Sequence, residues 1–153
     1  MSGAERPVLE ARGLSLWYGA TQALRAVDLR VRPRRITALI GPSGCGKSTL
    51  LRVFNRMNDR VAGARVAGTV LLDGEDVYRL PVEALRRRVG MVFQRPNVFP
   101  LSVRANVAYG PRVHGLRGDD IDEAVEVGLR AVGLLEELGG SRERHARGLS
   151  AEQ

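Results

Sequence analysis

Gly41-Pro42-Ser43-Gly44-Cys45-Gly46-Lys47-Ser48-Thr49 is the run on which the fold assignment turns. It fits the pattern G-x-x-x-x-G-K-[ST], and its flanks supply the context. Arg35-Ile36-Thr37-Ala38-Leu39-Ile40 before it reads as a buried strand, and Thr49-Leu50-Leu51-Arg52-Val53-Phe54 after it as an amphipathic helix. Glycines at 41, 44 and 46 let main-chain N–H groups turn inward and approach a phosphate closely. The positive pole of the following helix adds to the same anion site. Lys47 is then expected to reach the β- and γ-phosphates, Ser48 to ligate Mg2+ through its hydroxyl, and Thr49 to help hold the α-phosphate. Pro42, Ser43 and Cys45 complete this loop, which would take a nucleoside triphosphate with Mg2+.

Of the 24 Lys and Arg residues, Lys47 is the only lysine; every other basic position is arginine. A compact ammonium on a thin stem fits inside a loop that a planar guanidinium would overfill, which accounts for the exception.

With 153 residues and 44% hydrophobic content, the chain can bury one respectable core, so one domain is expected. A net charge of +7 allows nucleic acid, acidic headgroups or a nucleotide as partner. The arginines are scattered apart from Arg34-Arg35 and Arg86-Arg87-Arg88, and only 5% of residues are aromatic, which argues against a base-stacking nucleic-acid surface. Cys45 has no partner in the chain, so no internal disulfide forms, and a reducing compartment is expected. It reads as a small filler of the loop. No apolar run has the length of a membrane span, and the N-terminal residues lack a signal-peptide apolar segment.

Residues 1–7 read as a disordered lead-in, and 8–153 as the folded part. Residues 8–19 alternate apolar and polar and end in Trp17-Tyr18-Gly19, and 23–31 alternate likewise; both read as strands of an antiparallel pair. Tyr18 is placed either to stack on a purine ring or to pack at the strand end. A Gly/Ala-rich connector over 60–68 leads to a short strand, Thr69-Val70-Leu71-Leu72, closed by the turn Asp73-Gly74. Pro81 opens a short helix over 82–88 at its first helical position. Val89-Gly90-Met91-Val92-Phe93 reads as a buried parallel strand that delivers Gln94 to the sheet edge carrying the loop. Val98, Phe99 and Leu101 belong to a proline-bounded loop and form either a docking patch or local packing. Ser102 caps a helix over 103–109 that Gly110-Pro111 stops. Asp119-Asp120 opens a longer one with Ile121, Val125, Leu129 and Val132 on its apolar face. His114 and His145 are isolated and lack metal-ligand spacing.

Taken together these landmarks resemble the ATP-binding subunit of an ABC transporter. In the family's order and at about its spacing stand the adenine-stacking aromatic (Tyr18), the Walker A loop (Gly41 to Thr49), and the Q-loop glutamine Gln94 after Met91-Val92-Phe93. Leu149-Ser150-Ala151-Glu152-Gln153 follows where the family's L-S-G-G-Q signature belongs. Within the family, residues 54–59, 72–78, 97–102 and 106–111 are most similar to phosphate importers. The resemblance implies an α/β fold: an incomplete P-loop NTPase core with an N-terminal antiparallel β subdomain and the start of a helical subdomain. It also implies two subunits closing head to tail on two ATP molecules, each held between one chain's Walker A loop and the signature residues Leu149, Ser150 and Gln153 of the other. Gln94 would contact Mg2+ or the attacking water, and the stretch from Gln94 to Leu101 would dock on a membrane permease, placing the protein peripherally on the cytoplasmic face of the inner membrane.

The signature departs from the family by Ala151-Glu152 in place of two glycines, which sets a carboxylate near the γ-phosphate. The resemblance puts the family's Walker B aspartate, catalytic glutamate and switch histidine beyond Gln153. The expectation is therefore an N-terminal fragment with no catalytic residue of its own, unable to hydrolyse ATP alone. The leading reading is an importer ATPase for inorganic phosphate; the alternatives are an importer of another solute such as amino acids, or a non-hydrolysing nucleotide-binding module. A DNA-associated ATPase is disfavoured by the phrase after Gln94 and by the lack of a coiled-coil insertion.

Overall fold

A computed structural model describes residues 6–95, 97–139 and 141–150. Most of the expected lead-in lies outside the described residues. Two compact units are present, one up to Met91 and the other from Val92.

In the first unit the two alternating stretches become β1, Leu9–Tyr18, and β2, Thr21–Val31. A third strand, β3, covers Ala64–Leu72, so it begins well inside the stretch that composition marked as a connector. β4, Glu75–Asp76, follows the turn at Asp73-Gly74. The strands form one antiparallel sheet in the order β2-β1-β3-β4. Its regular ladder slips near Gly13, where side chains take over main-chain partners: Asp28 Oδ1 accepts the Gly13 N–H at 2.7 Å, and Ser15 Oγ accepts the Ala26 N–H at 2.9 Å. Across this bulge β3 carries Gly68 at φ +95°. A Cβ there would lie 2.6 Å and 2.7 Å from the carbonyl oxygens of Gly13 and Arg12, so only glycine fits.

The core of this unit lies between the sheet and helix α1, Lys47–Phe54. Leu14, Leu16, Leu24, Val70 and Leu72 from the strands meet Leu50, Val53 and Phe54 from the helix, with Val77 and Leu85 joining them. Leu85 belongs to α2, Val82–Arg88, which Pro81 precedes as N-cap and not as its first residue.

Two expected strands do not form. Residues 36–40 have no regular structure, and Ile36 and Ile40 are 102% and 94% exposed; Val92, at 98%, and the half-exposed Phe93 fare likewise. An extended apolar run becomes a strand only when a neighbouring strand takes its N–H and C=O groups, and among the described residues neither run has a strand to pair with. The buried parallel strands expected at 35–40 and 89–93 are therefore corrected to irregular segments.

The second unit is built on α3, Val103–Val113, α4, Asp119–Ala131, and α5, Leu134–Glu137. Val103, Ala108, Ile121, Val125, Leu129, Leu138 and Ala146 form its core. Val132, expected on the buried face, caps α4 and is exposed. Ser102 caps α3 as expected, accepting the Ala105 N–H at 3.2 Å. Gly110-Pro111 does not stop the helix. A residue before proline is barred from helical geometry largely by its Cβ, which Gly110 lacks, and the turn is resealed when the His114 N–H donates to the Gly110 carbonyl at 3.0 Å. Residues 142–146 run back along the start of α3, with Val103 and Arg104 donating to the carbonyls of Arg144 and Arg142 at 2.9 Å. His145, exposed, accepts the Arg147 N–H and caps a 3₁₀ turn at Ala146–Gly148.

Glu10 is the one carboxylate buried in the sheet. Arg12 donates to it at 2.7 Å and Arg30, its cross-strand neighbour, at 2.8 Å. The Arg12 hydrogen bond chiefly, with Arg30 adding to it against the opposing effect of burial, lowers its pKa from 4.5 to about 2. A carboxylate whose pKa is depressed on folding stabilises the fold fully above its unfolded value and loses that contribution as pH falls through the folded value. We expect the stability difference between the wild-type chain and Glu10→Gln, followed by denaturant titration, to be steady above pH 4.5 and to shrink between there and about pH 2. A difference independent of pH would show that the pair is not linked to folding.

Candidate nucleotide-binding site

The loop from Gly41 to Thr49 joins the irregular segment 36–40 to α1. Gly44 and Gly46 hold φ values of +80° and +94°, the left-handed region that turns successive amides toward one side. Gly46 is further confined by the core: a Cβ on it would sit 2.8 Å from Leu24 Cδ2 and 2.9 Å from the Ala23 carbonyl oxygen. The loop is thus pressed against the end of β2. Helix α1 opens at Lys47 with no side-chain cap and no acidic residue in its first turn, which leaves its positive pole to an external anion.

Lys47 folds back over the loop it follows. Its ammonium donates to the carbonyls of Gly41 at 2.7 Å and Pro42 at 2.6 Å, and approaches Cys45 Sγ at 3.5 Å. An ammonium has three N–H donors and no acceptor, so an incoming phosphate oxygen competes with these carbonyls for a cation already at the centre of the loop. Cys45 is exposed, and its sulfur lies 2.9 Å from where a Cβ on Gly41 would stand, so a side chain at 41 would make the thiol turn aside. Ser43 lies in the loop's exposed turn. Ser48 is exposed beside Lys47 and Thr49 is half-buried. No group of three or more His, Cys, Asp or Glu side chains gathers among the described residues. A divalent cation at this loop would accordingly be held through phosphate oxygens and a hydroxyl, as suits Mg2+. The donors present (an ammonium, inward amides, a helix pole and a hydroxyl) fit a triphosphate carrying Mg2+.

Tyr18 ends β1, half-buried, and packs against the core of the same unit. Its hydroxyl donates to Asn58 Oδ1 at 2.7 Å, and Asn58 Nδ2 donates to the Thr49 carbonyl in α1 at 2.9 Å. Asn58, in the 3₁₀ turn Met57–Arg60, is 0% exposed. Sequence reading gave this residue no role beyond its place in the run 54–59, because its partners Tyr18 and Thr49 are distant from it in the chain.

Gln94, Leu149 and Ser150 fall in the second unit. Gln94 is exposed in an irregular segment, Leu149 packs on that unit's core, and Ser150 is exposed. Ala151, Glu152 and Gln153 lie outside the described residues. Val98, Phe99 and Leu101 are exposed, as the docking reading requires, yet their loop is pinned. Asn106 in α3 accepts the Phe99 N–H at 2.8 Å and donates to the carbonyls of Phe99 at 3.1 Å and Ser102 at 3.0 Å. The Phe99 ring lies on Tyr109, centroids 4.5 Å apart. Asn106 is a second residue whose role sequence reading did not single out.

Residues 24–152 match the family model described as ABC transporter. Among solved structures the chain is similar to cbiO1 from Clostridium perfringens, part of the ABC transporter complex cbiONQ, with 28% identity and a TM-score of 0.79 over 96% of this chain and 57% of that one. It is also similar to a bacterial Atm1-family ABC exporter with ATP bound, with 22% identity and a TM-score of 0.78 over 98% of this chain and 26% of that one. The second likeness is one of fold. The chain spans 57% of the length of cbiO1.

Replacing Lys47 removes charge-assisted bonds worth about 1.5–3 kcal/mol to a phosphate, roughly a tenfold loss or more. Lys47→Ala is expected to weaken ATP binding by at least that factor in a calorimetric titration, and Lys47→Arg to fail as well because its planar head overfills the loop. Wild-type affinity in Lys47→Ala would remove the loop from the site.

Proposed function

The chain belongs to the ABC transporter family, and on that footing we propose that it is the nucleotide-binding part of an importer ATPase that drives uptake of inorganic phosphate. The observation that carries the ATP-binding reading is the left-handed glycine loop closed over the chain's only lysine at the uncapped start of α1. The residues that would hold ATP are Tyr18 at the base and Gly41 to Thr49 around the phosphates, with the Ser48 hydroxyl toward Mg2+. When bound, Mg2+ supplies charge neutralisation on the phosphates.

Two such chains would pair head to tail, with Leu149, Ser150 and Gln153 of each facing the other's nucleotide. The exposed apolar group Val98, Phe99 and Leu101 supports docking of this region on a membrane permease, at the cytoplasmic face of the membrane. No helix among the described residues is long and apolar enough to cross a membrane. The solute assignment is supported by the likeness of residues 54–59, 72–78, 97–102 and 106–111 to phosphate importers. The reading assigns nucleotide binding to these 153 residues and names no catalytic carboxylate among them.

Two measurements test this. The purified 153-residue chain should bind ATP and release no phosphate; sustained release would mean a general base has been overlooked. In cells whose own copy carries Lys47→Ala, uptake of labelled phosphate should fall about tenfold or more while amino-acid uptake holds. The opposite pattern would reassign the solute.

A further inference from the structure

Asn58 is the most deeply buried polar side chain described, and its carboxamide is used at both ends. Oδ1 takes the Tyr18 hydroxyl at 2.7 Å; Nδ2 gives to the Thr49 carbonyl at 2.9 Å. Thr49 lies in the first turn of α1, two residues past the lysine that occupies the phosphate loop. Only one side chain therefore separates the aromatic ring at the end of β1 from the helix that carries the loop. A tyrosine ring turns about two side-chain torsions, and tying its hydroxyl to a fixed acceptor removes most of that freedom before any ligand arrives. Burial strengthens both bonds and makes breaking either costly.

We propose that Asn58 is a positioning residue that holds the Tyr18 ring in register with the phosphate-binding helix, so that the base and the triphosphate of one nucleotide meet a single rigid unit. The inference rests on the reading of Tyr18 as the base-stacking residue. It assigns Asn58 no contact with the nucleotide. Its consequence is specific: loss of the Tyr18–Asn58 bond should weaken recognition of the base and leave recognition of the phosphates alone.

The test compares ATP with inorganic triphosphate, which lacks the base, by calorimetric titration of the chain and its variants. Tyr18→Phe deletes only the hydroxyl and keeps the ring. Loss of one hydrogen bond corresponds to about a three- to tenfold weaker affinity. Tyr18→Phe and Asn58→Ala should each show a loss of that size for ATP, with triphosphate affinity unchanged, and the double variant should be no worse than the weaker single one. Wild-type ATP affinity in Tyr18→Phe overturns the role of Asn58, as does an equal loss of ATP and triphosphate affinity in Asn58→Ala. Tyr18→Ala separates the two levels: a large ATP loss there beside a wild-type Tyr18→Phe sinks only Asn58, whereas wild-type affinity in Tyr18→Ala sinks base stacking and the inference with it.

Discussion

The site depends on the burial of three side chains, Leu50, Val53 and Phe54, against the inner face of the sheet. An eight-residue helix is too short to persist alone in water, and α1 exists because those residues leave solvent, at about 1.5–3 kcal/mol each. Its first turn is thereby fixed in space. Gly46, wedged against Leu24 and the Ala23 carbonyl, transmits that position to the loop. The loop's own residues supply flexibility and donors; where the loop sits is decided by apolar packing one turn away.

This explains what the sequence made legible. Period-two alternation over 8–19 and 23–31 reports a half-buried sheet and is readable, as is the loop, whose glycines and lysine have local reasons to be there. The segments 36–40 and 89–93 read as strands because their composition suits one, but pairing is a non-local property, and neither has a ladder partner among the described residues. Gly110-Pro111 failed for the opposite reason: a dipeptide that usually ends helices is harmless where glycine precedes the proline and the next turn reseals. The bulge at Gly13 and its opposite number Gly68 show the same dependence on distance in sequence, since each makes sense only when the other strand is present.

Several of the scattered arginines are structural. Arg12 and Arg30 converge on buried Glu10. Arg86 reaches from α2 to the carbonyls of Asn55 at 3.2 Å and Arg56 at 3.0 Å, closing off main-chain acceptors just past the end of α1. A guanidinium presents five donors in a fixed fork and can serve two carbonyls at once from one side chain; an ammonium does this less well. The same geometry that excludes arginine from position 47 makes it useful at 86. One basic residue type braces the far end of the helix, and the other occupies its near end.

Asn58 and Asn106 solve one problem in two places. Each lies where a main-chain or side-chain donor and a main-chain acceptor must be satisfied together, and a carboxamide does both without charge from two separate atoms, an accepting oxygen and a donating nitrogen. Asn58 joins Tyr18 to α1; Asn106 joins the Phe99 main chain to α3, on which the Phe99 ring also rests. In both cases an aromatic residue with a recognition role on our reading sits at a strand end or in an irregular loop, where it would otherwise sample many orientations, and an asparagine moors it to a packed helix. Both asparagines fall within the stretches 54–59 and 106–111, on which the proposed solute reading also draws. Those stretches therefore have a structural duty of their own, the mooring of Tyr18 and Phe99, which holds whatever the solute of the proposed importer.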